Sequence, residues 1–348
     1  MFVDHLKKLF KTDDGKSHIQ HRMHTLISPY INQREQGIVL LGVISDLSIG
    51  WNRGRQGAKE GPASIRRILP HTHSHAKLPF YDAGDIELVD DDTDFSTLSD
   101  KQAQVVHDLL HAGHFPVVLG GGHEISIASY QALSDFSDDK AKIHTEWQVA
   151  KSIPDNVVAL SATQEDPTMS YQPCQARVGI INFDAHFELR PTLSVRSGSA
   201  FHSALCYSKE KNRDFHYLGL GICDRANSQA MFKLAEDLGC EWLLDSQITS
   251  RNKKAVKAKI DKYIDSVDVI QLSIGLDVFS ASIAPGVNMT QMQGVGLPMV
   301  EWAIKYIMVS GKVKLVDIAE LNPEYDYANQ TAKLAAKLIQ LISKNLNL

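Results

Sequence analysis

Short apolar runs and longer stretches of helical periodicity take turns along most of the chain. Apolar segments of strand length fall near 38–43, 116–119, 178–183, 215–220, 267–274 and 313–318. Helical patterns lie near 62–70, 97–113, 123–135, 225–238, 252–265, 297–309 and 329–345. Such alternation predicts an α/β architecture, a mostly parallel central sheet flanked by helices on both faces. Pro62 and Pro298 suit the first turns of their helices, where a missing N–H breaks no hydrogen bond. No internal repeat is visible, and α/β folds often reach this length of 348 residues as one unit. A single domain over 1–348 is expected.

One segment breaks the rhythm. From about Asp135 to Gln175 the chain is polar and mixed, and it carries Pro154, Pro167 and Pro173. It reads as an insertion over 136–176, with a hairpin around Val157-Val158-Ala159-Leu160. A connection of this length serves as a lid, a partner surface or a disordered link.

Three apolar runs end in groups that carry chemistry. Val178 to Ile181 leads into Asn182-Phe183-Asp184-Ala185-His186-Phe187-Glu188-Leu189. On a strand end, residues at i, i+2 and i+4 point the same way. Asp184, His186 and Glu188 are therefore expected to converge at the mouth of the sheet. Alone, such a triplet is more often a polar strand end than a site. Two further runs share the arrangement. Pro116-Val117-Val118-Leu119 enters Gly120-Gly121-Gly122-His123-Glu124, where glycines permit close backbone approach. Val269 to Ile274 enters Gly275-Leu276-Asp277, followed by Ala284-Pro285-Gly286. Ligands of open α/β sheets collect outside the carboxyl ends of the strands. His123, Asp184, His186, Glu188 and Asp277 are thus candidate metal ligands, a mixed nitrogen and oxygen set suited to manganese or zinc.

These segments resemble the ureohydrolase family of arginase, agmatinase and above all formimidoylglutamase. The family pattern is Gly-Gly-[Asp/Gly]-His, then Asp-Ala-His-x-Asp, then Ser-x-Asp-x-Asp followed shortly by Pro-Gly. Asn52-Arg53-Gly54-Arg55, Tyr81-Asp82-Ala83-Gly84-Asp85, Asp317-Ile318-Ala319-Glu320-Leu321-Asn322-Pro323 and Thr331-Ala332 extend the likeness to about residues 35–345. Gly122-His123-Glu124, Phe187 and Leu189-Arg190 resemble the formimidoylglutamase branch. The resemblance implies an arginase-like three-layer sandwich. It implies two Mn²⁺ ions per chain, which generate hydroxide from a bridging water for attack on a linear amidine. With N-formimidoyl-L-glutamate the products are L-glutamate and formamide, a step in histidine degradation. Carried over residue by residue, Asp277 is a ligand that also orients the nucleophile, Glu320 faces the substrate's cationic nitrogen, and His202 shuttles protons. A substrate with two carboxylates needs guanidinium or backbone N–H donors. Arg190 is the first candidate and Arg55 the second, with Ser197 and Asn52 as further substrate contacts. Trimers or hexamers are common in the family.

Two positions depart from the pattern. Glu188 stands where the family has Asp, and Gly275 replaces the first Asp of the third motif. Glu188 keeps a carboxylate, whereas Gly275 removes a ligand that in the family bridges both ions. Two ions, one ion or none are therefore open outcomes, with Ser273, Asn288 or a water available to fill the gap. A catalytically impaired relative that binds or regulates, and a ureohydrolase of another guanidino or amidine substrate, stand as alternatives.

Composition narrows the remaining classes. A net charge of −5 and the lack of a basic stripe give no invitation to nucleic acid. No apolar run nears the ~18 residues of a membrane span, and Lys7, Lys8 and Lys11 break up any signal-peptide core. A cytoplasmic enzyme with a small-molecule amidine substrate is expected. Cys174, Cys206, Cys223 and Cys240 form no Cys-x-x-Cys pair and are read as free thiols. His71, His73 and His75 read as a solvated loop patch.

Overall fold

Residues 38–43, Ile-Val-Leu-Leu-Gly-Val, are buried at every position. A strand apolar on both faces must be covered on both faces, which is the signature of a parallel sheet. The computed structural model describes residues 27–47, 49, 55–72, 76–87, 95–152, 175–192 and 198–346, without the side chains of 142–152. Its described strands are β1 (Ile27–Pro29), β2 (Ile38–Val43), β3 (Phe80–Ile86), β4 (Phe115–Leu119), β5 (Val178–Phe183), β6 (His216–Ile222), β7 (Glu241–Leu244), β8 (Val269–Gly275) and β9 (Val313–Ala319). They form one sheet in the order β1-β3-β2-β4-β9-β8-β5-β6-β7, and every neighbouring pair is parallel.

Eight described α-helices cover the sheet: α1 (Gly61–Ile68), α2 (Phe95–His111), α3 (Ile125–Ser152), α4 (Ala200–Glu210), α5 (Gln229–Asp237), α6 (Lys253–Ser266), α7 (Leu297–Met308) and α8 (Gln330–Asn345). Ile65, Ile260, Ile304 and Ile339 from α1, α6, α7 and α8 join one buried cluster. Val106, Tyr130, Phe201 and Ala235 from α2, α3, α4 and α5 join another. The result is the expected three-layer sandwich. Pro62 and Pro298 lie in first turns as expected.

The strand order is what builds a site. β4 and β5 are consecutive in the chain, but β9 and β8 sit between them, so the sheet order reverses there. Such a switch point opens a crevice at the carboxyl ends. The four strands also end level, since Leu119 pairs with Ile318, Gly275 with Ala319 and Phe183 with Ile274. The next residues along each strand therefore emerge side by side.

The sequence pattern missed three strands and one helix. β3 escaped because Asp82 and Asp85 break its apolar run; both pair with Arg66 of α1, whose Nε and Nη2 lie 2.9 Å from the Asp82 oxygens. β1 and β7 are short sheet edges, only half-buried or exposed. The pattern for α4 was hidden by its mixed polarity. Helix α3 was expected to end near 135 but continues to Ser152. The polar stretch expected as an insertion is thus helical through its first part. The hairpin expected around 157–160 lies outside the described residues.

Arg213 fastens the two ends of that stretch. Its side chain is 3% exposed and pairs with Asp138 of α3, while Nη1 donates to Ala176 O at 2.5 Å and Nη2 to Ser134 O at 3.4 Å. Removing one partner of a buried ion pair costs about 3–5 kcal/mol. Arg213→Ala is expected to lower unfolding free energy by about 3 kcal/mol in urea denaturation. Arg213→Lys should recover only part of it, because an ammonium cannot span the same acceptors. A loss below ~1 kcal/mol for Arg213→Ala would contradict this reading.

Candidate metal centre

Past Leu119 the chain must squeeze between neighbouring backbones. A Cβ on Gly121 would lie 1.9 Å from Ser45 O, and none of Gly120 to Gly122 has positive φ. The glycine requirement is closeness rather than a left-handed turn. This passage carries His123, 3% exposed, into the crevice. Behind the ring, His123 Nε2 lies 2.7 Å from Ser273 Oγ, which lies 3.0 Å from Ser126 Oγ. Ser126 donates to Asp317 Oδ2 at 3.1 Å, and Ser129 to Asp317 Oδ1 at 2.5 Å. An ionised carboxylate only accepts. Ser126 therefore spends its proton on Asp317, Ser273 spends its own on Ser126, and His123 must donate from Nε2. That order leaves Nδ1 as the ligand atom, facing Asp184 Oδ2 at 2.7 Å.

Asp184, His186 and Glu188 do converge, but not by strand alternation. β5 ends at Phe183, and residues 184–186 form a bend. Glu188 adopts a left-handed φ of 54°, and its carbonyl accepts from Phe201 N at 2.8 Å and His202 N at 3.3 Å at the start of α4. Asp184 Oδ1 receives His186 N at 2.6 Å and lies 3.2 Å from His186 Nδ1. Asp277, just past β8, places Oδ2 2.9 Å from the same Nδ1.

These side chains form two groups that could each hold a metal ion, His123–Asp184–Glu188 and Asp184–His186–Asp277, each with donor atoms within 4.8 Å of one another. Asp184 belongs to both. The donors fit divalent ions. His186 Nε2 and Asp277 Oδ1 are buried without hydrogen-bond partners, and His123 Nδ1 and Asp184 Oδ2 meet as an ion pair at 2.7 Å without hydrogen-bond alignment, an arrangement that calls for a ligand. Oxygen-type ligands at about 2.1–2.4 Å from a hard cation stand roughly 3.0–3.4 Å apart in an octahedral array. The contacts of 2.7, 2.9 and 3.2 Å lie near that spacing.

The electrostatics point the same way. Burial would raise Asp184, but His123 and His186 reverse this and hold it below the usual carboxylate range. Burial opposes the charge on His123, yet Asp184, Glu188 and Glu320 lift its pKa to about 10. Burial, aided by Asp184, pushes Glu188 up to about 7 and raises Asp277. Burial and Asp277 push Glu320 up to about 8. A buried acidic cluster that retains protons near neutrality is a place where a cation can replace them.

Gly275 sits where the missing ligand would be rooted. A Cβ there would fall 2.4 Å from Asp184 Oδ2 and 3.0 Å from Asp277 Oδ1. The space next to the backbone is taken by Asp184 itself. Neither protein side chain expected as a substitute fills the gap. Ser273 is engaged behind His123, while Asn288 donates to Glu320 Oε2 at 2.8 Å and accepts from Asn322 at 2.9 Å.

A cavity of about 470 Å³ opens onto this cluster. His186, Glu188, Asp277 and Glu320 line it together with Arg55 and Arg190. Glu320 has a left-handed φ of 72° and accepts from His123 N at 3.0 Å. Arg55 stacks over the Tyr325 ring at 4.7 Å. His202 is placed differently from expectation: it is not among the lining residues, and its Nδ1 faces Cys206 Sγ at 3.9 Å. Asn52 and Ser197 lie outside the described residues. Sequence reasoning missed Asn227, which lines the cavity and ties the ligand loop down. Its side chain accepts from Phe187 N at 3.2 Å and donates to Ala185 O at 2.8 Å. A lone Asn ahead of a helix gives no such signal.

The arginase family profile matches residues 36–145 and 159–343. The formimidoylglutamase of Aeromonas salmonicida is 34% identical over 317 residues, 91% of this chain and 89% of that protein. That of Chromobacterium violaceum is 32% identical over 336 residues, 97% and 96% of the two chains. Among solved structures, formimidoylglutamase from Bacillus subtilis superimposes with a TM-score of 0.75 at 25% identity, covering 98% of each chain. A Trypanosoma cruzi formiminoglutamase with Mn²⁺ superimposes at 0.70 with 22% identity, covering 94% of this chain and 98% of the other.

Two outcomes test the ligand assignment. Asp184→Asn should weaken both ions in calorimetric titration, whereas Glu188→Gln should weaken one by about tenfold or more and spare the other. Equal effects would dissolve the two-group arrangement. Because His123 and Glu188 must shed protons as an ion enters, affinity should rise with pH between 6 and 8, with measurable proton release. A flat profile over that range would exclude these two residues as ligands.

Proposed function

The chain belongs to the arginase family, and on that premise we propose that it hydrolyses N-formimidoyl-L-glutamate to L-glutamate and formamide. The observation that carries this reading is the single cavity in which the acidic ligand cluster and two guanidinium groups face the same space. Arginine or agmatine would bring one carboxylate or none, and a cavity for them has little use for two arginines. We assign the ions as Mn²⁺, supported by the carboxylate-rich donor set.

When bound, the ions supply water acidified enough to act as nucleophile near neutral pH. Arg190 and Arg55 receive the substrate's two carboxylates by charge-assisted hydrogen bonds. This orientation turns the formimidoyl carbon toward the cluster. Glu320, held by His123 N and Asn288, gives up its proton when a cationic amidine nitrogen arrives beside it. Asp277 keeps Oδ2 toward His186 and leaves Oδ1 without a partner. That oxygen accepts the attacking water's hydrogen and aligns its lone pair with the carbon. Water adds to the carbon, the C–N bond to the glutamate nitrogen breaks, and a proton reaches the departing amine.

The test is turnover of formimidoylglutamate, arginine and agmatine by the Mn²⁺-loaded protein, read as formamide or urea release. Formimidoylglutamate should exceed both others in kcat/KM by about a hundredfold or more, as expected when buried charges are left unpaired by the wrong substrate. Preference for arginine, or no turnover of formimidoylglutamate, would overturn the proposal. A lost charge-assisted hydrogen bond is worth about 1.5–3 kcal/mol. Arg190→Ala should therefore raise KM at least about tenfold with kcat changed far less.

A further inference from the structure

A second group of metal-type donors stands far from the cavity. His107 and His111 lie four residues apart on α2, hence on one face of it, and Asp139 of α3 faces them. Asp139 Oδ2 is 3.1 Å from His107 Nε2 and 3.4 Å from His111 Nε2. The three residues offer donor atoms within 4.8 Å of one another, and the two rings lie 4.4 Å apart. Zinc-type ligands at about 2.0–2.1 Å in a tetrahedron stand roughly 3.3–3.4 Å apart. Both Nε2–oxygen contacts are near that edge length before any ion enters. All three side chains keep between a quarter and two-fifths of their surface in solvent, so an ion has access and a water can complete the shell. Asp139 lies about 20 Å along α3 from Ile125, next to the hydrolase centre.

We infer that His107, His111 and Asp139 form a separate binding site for a nitrogen-preferring transition ion of the Zn²⁺ class. Two imidazoles and one carboxylate select zinc, nickel or copper over manganese, which favours oxygen. The ligands come from two helices, so the ion pins α2 to α3. It binds the folded chain only, because unfolding separates Asp139 from the histidine pair.

The probe is Zn²⁺, titrated calorimetrically into the full chain carrying Asp184→Asn, which removes the carboxylate shared by both groups of the hydrolase centre and weakens ion binding there. One zinc ion per chain is expected. His111→Gln and Asp139→Asn, each added to that background, should weaken it by about tenfold or more. At a free zinc level of 100 times Kd, the folded-to-unfolded ratio should rise about a hundredfold, and this gain should vanish in both variants. In the otherwise native Mn²⁺-loaded chain, His111→Gln should leave hydrolysis unchanged, so this site and the hydrolase assignment fail or stand separately. Equal zinc uptake with and without His111 and Asp139, or no uptake in the Asp184→Asn background, would overturn the inference.

Discussion

Asp184, Glu188, Asp277 and Glu320 are gathered at one point, where His123 and His186 reach the carboxylates of Asp184 and Asp277. Buried charge is tolerated only when it is paired, neutralised or coordinated. Burial raises Glu188, Asp277 and Glu320, and the carboxylates raise His123 and His186, so a bound cation would take the place of protons there. Much of the surrounding structure makes sense as support for that exchange. The serine chain to Asp317 fixes the His123 tautomer, Asn288 braces Glu320, and Asn227 pins the loop between Asp184 and Glu188. Glu188 and Glu320 both carry left-handed backbone, a strain of order 1–3 kcal/mol each that persists only where surroundings over-determine it.

Gly275 changes how that support is distributed. Each candidate group has three side chains, and among the described residues Asp184 is the one they share. The carboxylate that would have shared the load is absent, and Asp184 has closed over the root of the gap. Everything that sets the Asp184 carboxylate, including the His186 N–H at 2.6 Å, therefore acts on both halves of the centre together.

The central sheet was legible because β2, β4, β5, β8 and β9 are short, mostly apolar runs that lie almost wholly buried. The edges were not. β3 keeps its place through Arg66, a partner more than ten residues away, which no local pattern reveals. α3 outruns its apolar face by a long polar extension. The five candidate ligands were picked out by motif and strand-end position and the fold does bring them together, yet the expected mechanism of convergence was wrong: a left-handed Glu188, not strand alternation, closes the loop. His202 had the right residue type in the right neighbourhood, but ring direction depends on packing around Cys206. The His107–His111 spacing is visible in any helical reading of 97–113. Asp139 joins it only once α2 and α3 are packed, so the pair alone said little.

The strand order carries a further consequence. His123 N and Glu320 are 197 residues apart in the chain, and β9 enters the sheet between β4 and β8. Non-local pairings of this kind pay loop-closure entropy before contacts repay it, so they form late and slowly. The last strand to be synthesised is thus the one that brings Glu320 beside His123. A nascent chain emerging strand by strand can hold parts of the ligand set, but the closed cluster exists only after β9 has threaded into the middle of a sheet already begun. A cation taken up by this cluster would therefore be held fully only by the finished fold, and one that arrived early would meet only fragments of the site.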